Sequence, residues 1–295
     1  MVTVSAATAE EGGAPATQRI LFNGIRLPEV WPPRDRPISR EPMPVPYLTS
    51  VPEVIPIDVG RQLFVDDFLV EQTTLKRTYH TAQYHPGHPV LKPDKPWEHE
   101  GASPTAMVFS DGVWWDPQDK QFKMWYMAGY VRGTAYATSA NGLHWNKPEL
   151  NVRAGTNLVE TSSRDSTTVW LDLEENDPNR RYKLFSFLYP GKGRMSVYFS
   201  ADGIHWGKPV AESGPCGDRT TVFYNPFRKV WVYGIRDYDP KSIGRFRRYS
   251  EHPDVLTAAK WEAGQAPFWV GADALDPQRP DLKTPPELYL SLIHI

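Results

Sequence analysis

This 295-residue chain has one cysteine, Cys216, which excludes an internal disulfide framework and leaves a lone thiol with no motif to activate it. Charge of one sign is also missing. With 33 Lys+Arg against 35 Asp+Glu the formal net charge is -2, so nothing draws the chain toward a polyanion, and neither nucleic acid nor membrane is expected as a partner. No uninterrupted apolar run approaches the roughly 18 residues of a membrane-spanning helix. The opening "MVTVSAATAEEGGAPATQ" has neither the basic start nor the apolar core of a signal peptide. Residues 1–54 therefore read as a leader and extended segment, and with no export signal the location is unknown, cytoplasmic by default. Metal-ligand spacings such as Cys-x-x-Cys and His-Glu-x-x-His are absent, as is a phosphate-cradling glycine loop, and Gly191 to Gly193 reads as a hairpin turn. No metal and no cofactor is expected.

What the chain has in quantity is proline (29), tryptophan (11) and tyrosine (14), a mixture that suits many short strands joined by turns. One motif recurs. "SANGLHWNKP" begins at Ser139 and "SADGIHWGKP" at Ser200, and a degraded copy, "YSEHPDVLTAAKWE", ends near Trp261. Each copy follows an apolar run, a polar turn with Asp-Pro or Asn-Pro, and a second aromatic run, which is a hairpin pattern. A third short strand, "TAYATS" or "MSVYFS", leads into the Asn-Gly or Asp-Gly turn. Units of roughly 50 to 60 residues with about four strands are the size of propeller blades. In the repeat itself Asn141, Asp202, His144 and His205 read first as turn-shaping residues, with the tryptophans as anchors.

The whole pattern, over roughly residues 55–289, resembles the five-bladed β-propellers of the furanosidase superfamily, which holds glycoside hydrolase families 32, 43 and 68 and related mannoside phosphorylases. "NGLHW", "DGIHW", "HPVLKPDKPWE", "SRDSTTVWLD", "GRQLFVDDFLVE" and "YNPF" carry the likeness, which is closest to bacterial family-32-like proteins. It implies an all-β, five-bladed β-propeller with carboxylates entering the innermost strand of each blade, where the blades converge on a central pocket.

Residues entering the repeated strands are Glu98 and Glu100 in "KPWEHEGAS", Asp165 in "SRDSTTV", Asp218 in "CGDRTTV" and Asp273 in "VGADALD". Asp165 and Asp218 hold equivalent positions, each two residues before a Thr-Thr-Val, and are expected to face one axis. Glycoside hydrolysis needs two carboxyl groups across the scissile bond. Asp165, Asp218, Glu98 and Asp67 are the catalytic candidates, with Arg164, Arg219, Trp97, Glu100 and Asp273 as substrate-binding candidates. "SRD" resembles the Arg-Asp of the family-32 "RDP" motif, which implies that Asp165 stabilises the sugar, although Ser166 stands where that motif has proline. Asp66 and Asp67 adjoin in "FVDDF", so at most one could enter a pocket. A turn or edge role competes for both. Trp114, Trp115, Trp125, Tyr126 and Tyr130 could stack on sugars, but most must be core, because half of each strand faces a neighbouring blade.

Three functions stay open: a glycoside hydrolase acting on a carbohydrate substrate, a glycoside phosphorylase with Arg or His residues holding phosphate, and a carbohydrate-binding propeller without catalysis. One fold can host all three. About three to four blades are expected in residues 55–289, an incomplete propeller. The closing "LSLIHI", residues 290–295, resembles a translated sequencing adapter and is expected to be an artefact that displaces further blades and the general acid. A chain so cut is expected to expose a blade edge and to aggregate or be inactive.

Overall fold

The computed structural model describes residues 20–21, 23–45, 51–58, 62–64 and 66–289. The amino-terminal leader up to residue 19 and the closing "LSLIHI" lie outside them. The chain forms two compact units, residues 1–34 with 42–80, and residues 35–41 with 81–295. Residues 55–80 thus group with the amino-terminal segment. In that first unit a tight turn at Gly24 (φ +77°) brings Leu21 N to Ile25 O at 2.8 Å, and Ile20 bridges Arg26.

The second unit is built from antiparallel sheets in chain order. β1 (Ala106–Met107), β2 (Val113–Asp116), β3 (Gln121–Ala128), β4 (Gly133–Ser139) and β5 (Leu158–Glu160) form the first. β6 (Arg164–Leu171), β7 (Tyr182–Leu188), β8 (Met195–Ser200) and β9 (Ala211–Glu212) form the second. β10 (Thr221–Asn225), β11 (Val230–Asp239), β12 (Gly244–His252) and β13 (Phe268–Gly271) form the third. Each strand pairs with the next in sequence, except that β1 and β2 both pair with β3, at opposite ends of it. They are one inner strand broken by a bulge over residues 108–112. This meander, repeated sheet after sheet, is the blade arrangement of a β-propeller, as the repeat implied, with three blades among the described residues.

The core lies between blades, so the strands are buried on both faces and read as nearly continuous apolar runs. Trp125, Tyr136 and Val159 of the first blade pack on Val169, Leu171, Tyr182 and Leu184 of the second. Phe185, Met195 and Val197 pack in turn on Trp231, Tyr233 and Ile235 of the third, beside the short helix α1 (Val255–Ala258). The inner strands are stitched directly. Val169 N donates to Asp111 O at 2.6 Å, Ser110 Oγ to Thr167 O at 2.9 Å, and Arg219 N to Ser166 Oγ at 3.1 Å.

The repeated turn is structural, as read. Asp202 Oδ1 accepts from the backbone N–H of Ile204 at 2.8 Å and His205 at 2.9 Å, and Asn141 Oδ1 does the same for Leu143 and His144, each at 3.0 Å. Gly142 and Gly203 take φ of +73° and +76°, which side chains resist. In the degraded third copy α1 replaces the turn, capped by Asp254 on Thr257 N at 2.8 Å. A second repeat escaped the sequence reading. Asp116 and Lys123, and again Asp172 and Lys183, form ion pairs of 2.8 Å across successive hairpins, placing a buried lysine in the second strand of each of the first two blades.

Candidate active site

The inner strands of the second and third blades start side by side, and their carboxylates meet there. Asp165 sits in a bulge of β6, between Arg164, which pairs with Leu188, and Thr167, which pairs with Ser186. Asp218 lies just ahead of β10, followed by Arg219 in the left-handed region at φ +62°. That turn swings Arg219 Nη1 to 3.0 Å from Asp165 Oδ1. Arg236, from β11, brings its Nη1 to 3.5 Å from Asp218 Oδ1.

These contacts are close but misaligned. Among the described residues Asp165 Oδ1, Asp218 Oδ1 and Arg219 Nη1 are buried without a hydrogen bond of acceptable geometry. Burial pushes the Asp165 carboxyl above its ordinary range; Arg219 opposes this and the neighbouring Asp218 adds to it. Behind them Arg247, from β12, is fully buried. Its guanidinium donates to backbone carbonyls, those of Arg219, Gly234 (3.2 Å) and Tyr289 (2.7 Å). Desolvation, with Arg236 adding to it and Asp218 opposing, brings Arg247 down to about 10.

The other expected site residues fall elsewhere. Arg164 is fully buried and paired with Asp111 at 2.8 Å, so in this structure it faces the protein interior and positions β6 rather than a ligand. Glu98, in the 3₁₀ turn Pro96–His99, is also fully buried. It accepts from Tyr126 Oη at 2.7 Å, Lys147 Nζ at 2.6 Å and the N–H groups of Asp94 and Lys95 at 2.7 and 2.9 Å. Its acceptor capacity is spent on tying the loop to the first blade. Trp97 Nε1 donates to Asn157 Oδ1 at 2.9 Å in the same network, while Glu100 is exposed. Asp273 follows β13, the outermost strand of the third blade, and not an inner strand, and its Oδ1 caps a turn on Leu275 N at 2.8 Å. Asp67 pairs with Arg77 in the other compact unit, and Asp66 Oδ1 accepts from Phe68 N at 3.0 Å. Of the candidate aromatics, Trp125 and Tyr126 are core.

Sequence reasoning missed Arg236, Arg247 and Phe109. The signal for the arginines was a charge inside an apolar strand, "VWVYGIRDY" and "GRFRRYS". Phe109, in the bulge of the first blade, stacks under Arg219 with the guanidinium carbon 3.7 Å from the ring centroid.

A groove of about 420 Å³ adjoins the site through Arg236, with Cys216, Gly217, Tyr238, Arg248 and Trp261 along it. A cleft of about 460 Å³ lies elsewhere, between the outer parts of the first and second blades, near Asp119, Lys123, Tyr136 and Asp202. Asp119 and Lys123 are tied into the Asp116 network and Asp202 to His205, so size alone does not make it the reactive site. Among the described residues no group of three or more His, Cys, Asp or Glu is placed to hold a metal ion, and no helix is long and apolar enough to cross a membrane.

No protein-family model and no curated protein matches the sequence. Solved structures do match, and they are named as glycoside hydrolases. An endo-1,4-β-xylanase of Bacteroides thetaiotaomicron is 10% identical over 50% of this chain and 53% of its own, with TM-score 0.37. The catalytic domain of a Coprinopsis cinerea GH62 α-L-arabinofuranosidase is 15% identical over 53% and 51%, with TM-score 0.38. A thermostable family-43 glycoside hydrolase is 12% identical over 53% and 51%, with TM-score 0.37. The chain spans about half the length of the structures it matches.

Proposed function

We propose that this propeller belongs to a carbohydrate-active enzyme that cleaves a glycosidic bond by carboxylate chemistry, with Asp165 and Asp218 in its central site. The observation that carries the reading is the juxtaposition of two carboxylates at equivalent strand starts, each beside a guanidinium and each with a buried oxygen left without a hydrogen bond. Glu98 is saturated instead, whereas Asp111 Oδ1 in the Arg164 pair shares the unpaired state, so it is the meeting of two such carboxylates at neighbouring strand starts that supports the reading. Burial raises the Asp165 carboxyl, and the residue stands where the resemblance of its motif implies a sugar-binding stabiliser. Asp218 supplies the second carboxyl of the pair, and Arg219 and Arg236 orient both.

A hydrolysis screen over a panel of glycosides tests this, followed by Asp165→Asn and Asp218→Asn. Each substitution is expected to lower turnover by roughly 10²- to 10⁴-fold, the usual contribution of a positioned acid or base. Unchanged turnover in both variants would sink the site, and no turnover of any glycoside by the full-length protein would sink the hydrolytic reading.

A further inference from the structure

The charges at the mouth of the site do not cancel. Arg219 and Arg236 meet two carboxylates, Asp165 and Asp218, and Arg247 lies behind them, donating to the Arg219 carbonyl. Nearby charges are already matched: Arg164 with Asp111, Arg248 with Asp237, and Arg245 with Glu287. One guanidinium charge is left over, and the fully buried Arg247 is held among backbone carbonyls. A buried charge without a counter-charge is costly, and a bound anion removes the cost. Among the described residues Arg219 Nε and Arg236 Nε are buried without hydrogen-bond partners, while Arg219 Nη1 is taken up by its ion pair with Asp165.

The backbone is shaped to hold Arg236 there. A Cβ added at Gly217 would collide with Arg236 Nη1 and Cδ, so only glycine lets the guanidinium lie across this turn. Gly217 N donates to Arg236 O at 2.9 Å, and Arg236 N to Thr220 Oγ1 at 3.0 Å, locking strand and turn together. The same side chain lines the 420 Å³ groove together with Arg248 and Lys192, and Asp237 and Glu262 are the groove's acidic residues. Its volume lies in the range of small-molecule sites.

We propose that Arg219 and Arg236 form an oxyanion subsite beside the Asp165–Asp218 pair, taking either a carboxylate borne by a sugar in the groove or a free phosphate. The planar guanidinium fork matches both oxyanions, which a neutral sugar cannot replace. The subsite rests on the carbohydrate reading above for its sugar, but not for its anion.

Titration calorimetry of the 295-residue chain at constant ionic strength, against glucuronate, glucose and inorganic phosphate, tests it. Saturable binding of glucuronate or phosphate, stronger than that of glucose, is expected. Tighter glucuronate assigns the anion to the sugar, and tighter phosphate assigns it to a free ion. Arg236→Gln should weaken the anion by roughly tenfold or more, the value of one charge-assisted contact. Gly217→Ala, which displaces the guanidinium without removing its charge, should do the same, and Arg236→Lys serves if circular dichroism shows the glutamine variant unfolded. Absence of anion binding by the folded protein, or undiminished binding in the variants, overturns the subsite. Anion binding without turnover of any glycoside would remove the hydrolytic reading and leave the subsite standing. Turnover of neutral glycosides with no anion binding would do the reverse.

Discussion

Arg219 stacks on Phe109, guanidinium carbon 3.7 Å from ring centroid, and both are left-handed, at φ +62° and +54°. They come from the third and first blades. A left-handed non-glycine residue costs about 1–2 kcal/mol, so two in contact mark a place where local strain is tolerated for position. The stack holds the guanidinium whose other side meets Asp165.

Arg219→Gly is therefore expected to leave stability to urea unchanged or higher, since glycine accepts this backbone freely, while abolishing anion binding at the site. Phe109→Ala should instead cost about 0.5–1 kcal/mol, the size of a partly exposed cation–π contact, and weaken binding by loosening Arg219. Urea midpoints and binding isotherms of the two variants read these effects. A large loss of stability in Arg219→Gly would show that its side chain is structural.

Asp165 makes a prediction in pH. Its carboxyl is pushed above the ordinary value of 3.8 mainly by burial, so the folded protein binds this proton more tightly than the unfolded chain. The stability it contributes is present below that value and is lost as pH rises through the folded pKa. Asp165→Asn removes the titration. The melting temperature of the variant should exceed that of the natural protein at pH 7, and the gap should close as pH falls toward 4. A gap that widens on acidification would contradict the assignment.

The blades were legible because a propeller writes its period into residues with local tasks. Gly142 and Gly203 are needed for left-handed turns, and Trp145 and Trp206 follow them at a fixed distance. Asp165 and Asp218 were legible for the same reason, since equivalent positions in repeated strands recur in space. Arg236 and Arg247 were not, because they enter the site from second and third strands through contacts that no local spacing records. Glu98 misled in the opposite direction. Its place before the first blade suggested chemistry, whereas Tyr126, Lys147 and two backbone N–H groups, set far apart or unmarked in sequence, take up its oxygens. Arg164 shows the same limit, its burial being fixed by Asp111 in a bulge of a neighbouring blade.

That Arg164–Asp111 pair is the joint between the first two inner strands. Both side chains are fully buried. Arg164→Met leaves Asp111 uncompensated and is expected to cost about 3–5 kcal/mol, the penalty for breaking a buried pair from one side. The double variant Asp111→Ala with Arg164→Met should recover much of that loss, because neither charge remains to be desolvated. Denaturation of the two single variants and the double gives the coupling directly. Additive losses would mean that the two residues act independently.

The turn repeat offers its own control, since Asn141 in the first blade does what Asp202 does in the second. Asp202 is partly buried, which raises its carboxyl, but the N–H and ring of His205, the N–H of Ile204 and the Ser200 hydroxyl outweigh this and hold it down to about 2. Its charged form thus favours the folded state above the unfolded value of 3.8, and that contribution is lost as pH falls toward 2. Asp202→Asn keeps the Oδ1 acceptor for Ile204 N and His205 N, and can meet His205 as Asn141 meets His144, at 3.1 Å. Only the charge on an exposed pair is lost, so at pH 7 the cost should stay within about 0.2–1 kcal/mol. Asp202→Ala strips the turn of its acceptor and should cost about 1 kcal/mol more. Thermal melts from pH 7 to pH 2 should show the natural protein converging on Asp202→Asn below pH 4, while the alanine variant stays lower throughout. If asparagine proves as damaging as alanine at pH 7, the carboxylate has a task in the second blade that the first blade does not need.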